Sequence, residues 1–588
     1  MKLHRQFLQL HARYGSNHNT PVEVTLDELA AVLGCTHRSA LTIIHKMEAC
    51  GWIGWASQRG RGARSALQFR MQPGEIAAQS VMQAIHRKDI GQAIEDIRRH
   101  NGSSSLPDHL HGWLLTYFGH HAEIRRNRQI DTLRLPVRQQ IHTVDPVHMN
   151  LLAEAFVAGH VFDGLTRRDN PSGEIIPGIA HAWETDESRT VWTFFLRKGV
   201  LFHNGSLLTA EDVVYTFRRL AQNPYRTLYS YIFKQIKTVQ ALNQNTVRME
   251  LHEPSELFLP CLSTSRASIV PRHLDQRGEA LFGTRPVGSG PFKVVEMCDN
   301  MCVLEAFPHY YQGQVHLDRV EIVHVPWELP GTRSDDSDAW SPFHLIPNPS
   351  ADIGGAGGQT PKSLITQQTG KTQQTEQTQQ THQMHQMHSQ VSVRKFITGN
   401  TRNNGPLSDP ATRSKVFSIL RQEAEAQDLT AQVPIALRIA TIAPYKPDAD
   451  FVARQLEAAG YGCEVLTSSA EAFKGTLRLE CDLIIFSLVR DRDEQLRLFD
   501  LYQTVSKHVD SHTQTDIEQA LRNVAREPDP LARNALFAGI ENMLIEGDEL
   551  HILYEKPVQT AVLPTVRGVT FNSQGWVDLR NIWFPPQL

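Results

Sequence analysis

Between Gln58 and Arg64 the chain reads QRGRGAR, with Arg59, Arg61 and Arg64 interleaved by Gly60 and Gly62. Arginine presents a fork of donors that matches phosphate oxygens, and glycine lets the backbone come close to a phosphate. Upstream, Thr36 opens a stretch in which Ala40, Ile43, Ile44 and Met47 follow helical spacing. The opposite face carries His37, Arg38, Thr42, His45 and Lys46, which can hydrogen-bond to base edges or phosphates. Thr36, His37, Arg38, Thr42, His45 and Lys46 are therefore candidate contacts to the major groove, with Arg38 and Thr42 placed to reach bases. Arg59, Arg61 and Arg64 are candidate contacts to the minor groove or the backbone. The expected partner of both sets is double-stranded DNA. Residues 1–71 hold nine Lys and Arg against four Asp and Glu, a local balance of +5 in a chain whose formal net charge is -4.

Positioning these side chains requires a helix-turn-helix with a hairpin. Leu3, Phe7, Leu10 and Tyr14 share one helical face. Residues 15–21 read as a loop. Thr25 is an N-cap whose capping box closes at Glu28, and Leu26, Leu29, Ala30 and Leu33 form the apolar stripe of a second helix. Gly34 and Cys35 make the short turn before the helix that starts at Thr36. Trp52–Trp55 and Ser65–Arg70 read as the strands of a hairpin whose tip is the arginine-glycine segment. Helix formers over 75–100 and an apolar stretch over 109–118 read as a helical connector.

At 588 residues the chain is long enough for three or four folding units. Its seven cysteines are odd in number and scattered, with no zinc-type pairing, so they read as reduced thiols. The opening MKLHRQFLQLHARYG lacks the uninterrupted apolar run of an export signal, and no membrane-spanning run is present. The expected location is the cytoplasm, with no membrane partner. No nucleophile elbow, zincin motif or Walker A loop occurs, so the chain is not read as an enzyme. No cofactor and no metal are expected. His382, His385 and His388 sit in a Gln/Thr/His-rich insert, residues 359–390, whose composition builds no core and which reads as a polar, disordered loop rather than a metal site.

The body has its own signature. VWTFFL at 191–196 alternates as a strand, and Thr209 with Asp212 caps the helix that follows. Pro177, Trp183, Phe194, Arg197, Gly199, Phe202, Gly205 and the run from Thr209 to Val214, followed by PVGSGPFKVVE at 286–296 and LDRVEIVHVP at 317–326, resemble the oligopeptide- and dipeptide-type solute-binding proteins of family 5. Joined to a winged helix, and with GWVDLRNIWF at 575–584, the chain resembles the SgrR-type regulators. The resemblance implies a two-lobed α/β fold of the type II periplasmic-binding class after the α+β winged helix (three helices plus a β-hairpin) and the connector. The expected division is 1–71 winged helix, 72–129 connector, 130–327 and 556–588 first lobe, 328–395 linker with the insert, and 396–555 second lobe. Within the second lobe, 436–442, a helix at 448–459 and 481–489 read as a βαβ unit, and Ile552–Tyr554 as the return to the first lobe. The resemblance further implies a ligand-responsive transcription regulator that activates a sugar-phosphate-stress regulon and represses its own gene. The effector would be a sugar phosphate, a related solute or a peptide, held in the cleft between lobes by residues the sequence does not identify. The alternative is the solute receptor of an ABC transporter.

Overall fold

The computed structural model describes residues 2–15, 21–58, 64–71, 118–324 and 385–585, with interruptions inside the last two ranges, the longest at 422–434. The chain forms two compact units whose boundary in sequence falls between Phe118 and Gly119.

The first unit runs α1 (Lys2–Tyr14), β1 (Val22–Val24), α2 (Leu26–Leu33), α3 (His37–Ala49), β2 (Ile53–Ala56) and β3 (Ser65–Phe69). Phe7 and Leu10 of α1, Leu29 of α2, Ile44 and Met47 of α3, and Leu67 and Phe69 of β3 bury one small core, with Leu3 and Tyr14 packed beside it. The capping box forms: Glu28 Oε2 accepts from the Thr25 amide at 2.8 Å, and Thr25 Oγ1 accepts from the Glu28 amide at 3.2 Å. Gly34 closes α2 in the left-handed region at φ 59°, a conformation that favours glycine. The hairpin gains a third strand that the spacing did not reveal, because three residues are too few to show alternation. β1 pairs antiparallel with β3, Val22 opposite Leu67, in a sheet ordered β1-β3-β2. The helix expected over 75–100 lies outside the described residues, as does that over 109–118 except for Phe118.

The first part of the second unit contains β4 (Gly119–Arg125), β5 (Arg128–Val137), α4 (Leu152–Val161), β6 (Thr166–Arg168), β7 (Ile175–Pro177), β8 (Ala180–Thr185), β9 (Val191–Leu196), α5 (Ala210–Ala221), β10 (Ile236–Asn243), β11 (Thr246–Leu251), β12 (Phe292–Cys298), β13 (Met301–Ala306) and β14 (Arg319–His324). A mixed sheet is ordered β12-β13-β14-β5-β4, and an antiparallel sheet β10-β11-β9-β8. The lobe thus begins at Gly119, not at 130: β4 pairs along β5, and the stretch read as connector is already sheet. In β9 the alternation is as read, with Trp192, Phe194 and Leu196 turned into the core. Asp212 caps α5 by accepting from the Thr209 amide at 2.8 Å. The PVGSGPF glycines serve packing. The Gly290 amide donates to the Val161 carbonyl at 2.9 Å, and a Cβ on Gly290 would sit 2.6 Å from the His160 carbonyl oxygen.

The second lobe contains β15 (His385–Gly399), α6 (Pro410–Leu420), β16 (Ala436–Ile442), α7 (Lys446–Ala458), β17 (Gly462–Ser468), β18 (Leu483–Arg490), α8 (Glu494–Val505), α9 (Ser511–Arg526), α10 (Pro530–Glu546) and β19 (Leu550–Val562). Its sheet is ordered β17-β16-β18-β15-β19. Three expectations are corrected. The strand that follows α7 is β17, half-exposed and weakly patterned, and β16 lies parallel to both β17 and β18. β15 starts at His385, so the end of the polar insert is sheet and the lobe begins before 396. β19 pairs with β15, so Ile552–Tyr554 and 556–562 stay in the second lobe. The return to the first lobe is made later: Trp576, Leu579 and Ile582 are buried in the core of Leu133 and Phe156. On another side the lobes share apolar packing, where Phe194, Phe217 and Met249 join Leu501, Leu521 and Phe537 in one core. No helix among the described residues is long and apolar enough to cross a membrane.

Candidate nucleic-acid interface and interlobe cavity

Burial divides α3 into two faces. Ala40, Ile44 and Met47 are fully buried, whereas Thr36, His37, Arg38, Thr42, His45 and Lys46 are all exposed. The core therefore turns the whole candidate set outward together. Several of these side chains have structural tasks. Thr36 Oγ1 caps α3 by accepting from the Ser39 amide at 3.4 Å, and Thr42 Oγ1 donates to the Arg38 carbonyl at 2.9 Å. His37 is paired with Asp27 of α2, and His45 Nδ1 lies 3.3 Å from Glu48 Oε2. Among the described residues Arg38 and Lys46 make no ion pair. Arg64 is exposed at the start of β3, while Arg59 and Arg61 lie outside the described residues.

A cavity of about 860 Å³ lies between the lobes of the second unit. The first lobe contributes β6 and the short helical turn Ser265–Ala267, and the second contributes the ends of β16 and β18 and residues along α8 from Arg497 to Thr504. Thr570, Asn572, Asp578, Arg580 and Asn581 form a third wall. This size is ordinary for a small-molecule site. Most of its charges are matched. Arg168 Nε meets Asp493 Oδ1 at 3.1 Å, a contact between the lobes, and Arg497 meets Asp491 at 2.8 Å. Burial raises the Asp491 carboxyl to about 6 despite the opposing pull of Arg497. Burial would also raise Asp578, but the Arg580 guanidinium beside it holds its carboxyl well below the usual range. His160 Nδ1 donates to the Phe156 carbonyl at 2.8 Å, leaving Nε2 to accept from the Leu579 amide at 3.1 Å.

Arg266, Arg167 and Arg580 each keep a buried side-chain nitrogen without a hydrogen bond. Arg266 is 5% exposed, and its Nη1 is buried without a hydrogen-bond partner. Arg167 on β6 likewise has a buried Nε without one. Sequence reasoning identified no cavity residue. Arg167 and Arg497 come from opposite lobes, and no local spacing signals that they share a space.

A winged helix joined to a two-lobed family 5 solute-binding fold defines the class. Residues 2–112 match the sugar transport-related sRNA regulator N-terminal family, and residues 174–337 match the bacterial extracellular solute-binding proteins, family 5 middle. The domains are those of the SgrR-like proteins. The chain is 30% identical over 308 residues to the HTH-type transcriptional regulator SgrR of Salmonella typhi, covering 52% of this chain and 51% of that one, so the matched stretch spans about half of the regulator. It is 25% identical over 626 residues to the uncharacterized protein YhjP of Bacillus subtilis, covering 99% of this chain and 100% of that one. Its fold is similar to that of a dipeptide binding protein from a Pseudoalteromonas species in complex with Met-Leu, with a TM-score of 0.60 and 16% identity, over 77% of this chain and 100% of that one.

Proposed function

We propose that the chain is a cytoplasmic, ligand-responsive transcription regulator. In this reading α3 enters the major groove of duplex DNA and the wing arginines lie on the backbone or in the minor groove. The cavity takes a small effector, a sugar phosphate or related solute or a short peptide. The regulator activates a sugar-phosphate-stress regulon and represses its own gene. The observation that carries the reading is the division of α3: three core residues fully buried, and every candidate DNA contact on the exposed side. An effector can act only if it binds one state of the protein better than the other, so DNA affinity and effector affinity must change together. The similarity of the fold to a dipeptide binding protein favours a second reading, the receptor of a transporter.

Anisotropy titrations of the full chain with its own upstream DNA and with random duplex, over a range of salt, test the proposal. Affinity should fall steeply with salt. Arg64→Ala should weaken both duplexes alike and reduce the salt slope by about one. Arg38→Ala should cost about 1–3 kcal/mol on the upstream DNA and far less on random duplex. No duplex binding even in dilute salt would leave only the receptor reading.

A further inference from the structure

Arg266 belongs to a short helical turn at the cavity wall and is 5% exposed. A buried cation is costly unless a counter-charge meets it. Burial pulls this guanidinium down to about 10, which leaves it charged at neutral pH. Among the described residues no carboxylate lies within ion-pair distance of it. Besides the Tyr229 phenol, the carboxylates whose fields reach it are Glu154 and Asp500. Both have other partners. Glu154 accepts from the amides of His142, Thr143 and Leu151 at 3.2, 3.3 and 2.9 Å. Asp500 Oδ1 accepts from the Tyr229 amide at 3.1 Å. The neighbouring cavity arginines are matched: Arg168 by Asp493, Arg497 by Asp491, Arg580 by Asp578. Arg266 has no such carboxylate among the described residues, and Arg167, with its buried Nε unpartnered on the same cavity wall, stands beside it.

We infer that Arg266 is the docking residue for an oxyanion, so that the ligand of the interlobe cavity carries a carboxylate or a phosphate. The planar guanidinium accepts either group through two parallel N–H···O bonds. A ligand of this kind supplies the counter-charge that the fold leaves out, and Arg167 adds a second donor from β6. An uncharged solute of the same shape leaves the buried cation unmatched and is discriminated against for that reason. The inference rests on reading the cavity as a ligand site, and it adds the residue that selects a charged ligand over an uncharged one of the same shape.

Calorimetric titration of the full chain with two matched pairs decides the matter: glucose 6-phosphate against glucose, and alanylalanine against its C-terminal amide. At least one charged member should bind, and its uncharged partner should bind about tenfold more weakly or not at all. Arg266→Gln should abolish that preference, and Arg266→Lys, which keeps the charge without the fork, should restore part of it. The melting temperature of each variant without probe reports whether it folds; if Arg266→Gln does not, Arg266→Lys and Arg167→Gln are the deciding pair, each expected to bind more weakly than the parent. Equal affinity for charged and uncharged members, undiminished binding by the folded variants, or no binding of any of the four probes overturns the inference. Duplex binding by the same preparations is measured alongside. If DNA is still bound, only the ligand assignment has failed, and if DNA binding is absent as well, the regulator reading has failed with it.

Discussion

Glu549 shows how a single buried group shapes the pH response. It is 2% exposed, accepts from Thr401 Oγ1 at 3.4 Å, and burial raises its carboxyl to about 7. The unfolded chain releases this proton near the ordinary value of 4.5, whereas the folded chain holds it to about 7. Stability is therefore greatest while both states are protonated, falls as pH rises between these values, and stays reduced above them. Glu549→Gln mimics the protonated form. Thermal melts should show it stabilising the protein by about 1–3 kcal/mol at pH 8 and by much less at pH 5. A gain of equal size at both pH values would mean that packing, not titration, explains the effect. His203 behaves in the opposite sense. Burial lowers its imidazole to about 4, and the neutral ring spans Gly288 and Gly290, accepting from the Gly288 amide at 3.2 Å and donating from Nε2 to the Gly290 carbonyl at 3.0 Å.

The elements follow from local rules except where a long-range partner decides. α2 and α3 were legible because a capping box, a left-handed glycine and two helical stripes agree. β1 and β17 were not. Each carries a weak pattern and exists because it pairs with a strand from elsewhere, β1 with Ser65–Leu67 and β17 with the whole of β16. The later part of β19, 556–562, was expected in the first lobe, because apolar alternation does not say which edge a strand will join. The GSG segment is the element that tests close packing most directly. Gly290 lies against the end of α4, so Gly290→Ala should push β12 away from that helix and lower the melting temperature of the solute-binding unit by several degrees. An unchanged melt would show that the helix end yields instead.

At the scale of the whole molecule, the described residues within 567–572 and 576–584 tie distant parts of the chain together. Trp576 is fully buried and stacks on Phe156 with ring centroids 4.7 Å apart, while Thr570, Asn572 and Asp578 beside it line the cavity. One stretch thus closes the first lobe's core and forms a wall of the proposed effector site. Trp576→Ala should cost about 3–5 kcal/mol through the cavity it leaves. It should also weaken any effector binding, because the wall loses its anchor. Melts and titrations on the same variant check the two effects. Retained affinity in a destabilised variant would show that the wall holds its place without Trp576.

Spacing and composition by themselves determined the winged helix, the exposed face of α3 and the basic balance of the first residues, because these depend on periodicity, capping and short motifs within a few turns of chain, whereas the two-lobed architecture was implied by the family 5 resemblance. The cavity was decided only by tertiary structure. Arg266 is one arginine among many in the sequence, and nothing near it in the chain reports that it will be buried or that Glu154 and Asp500 will be engaged elsewhere. A counter-charge is a matter of distance in space, and two lobes and a returning terminal stretch had to come together before its absence could be seen.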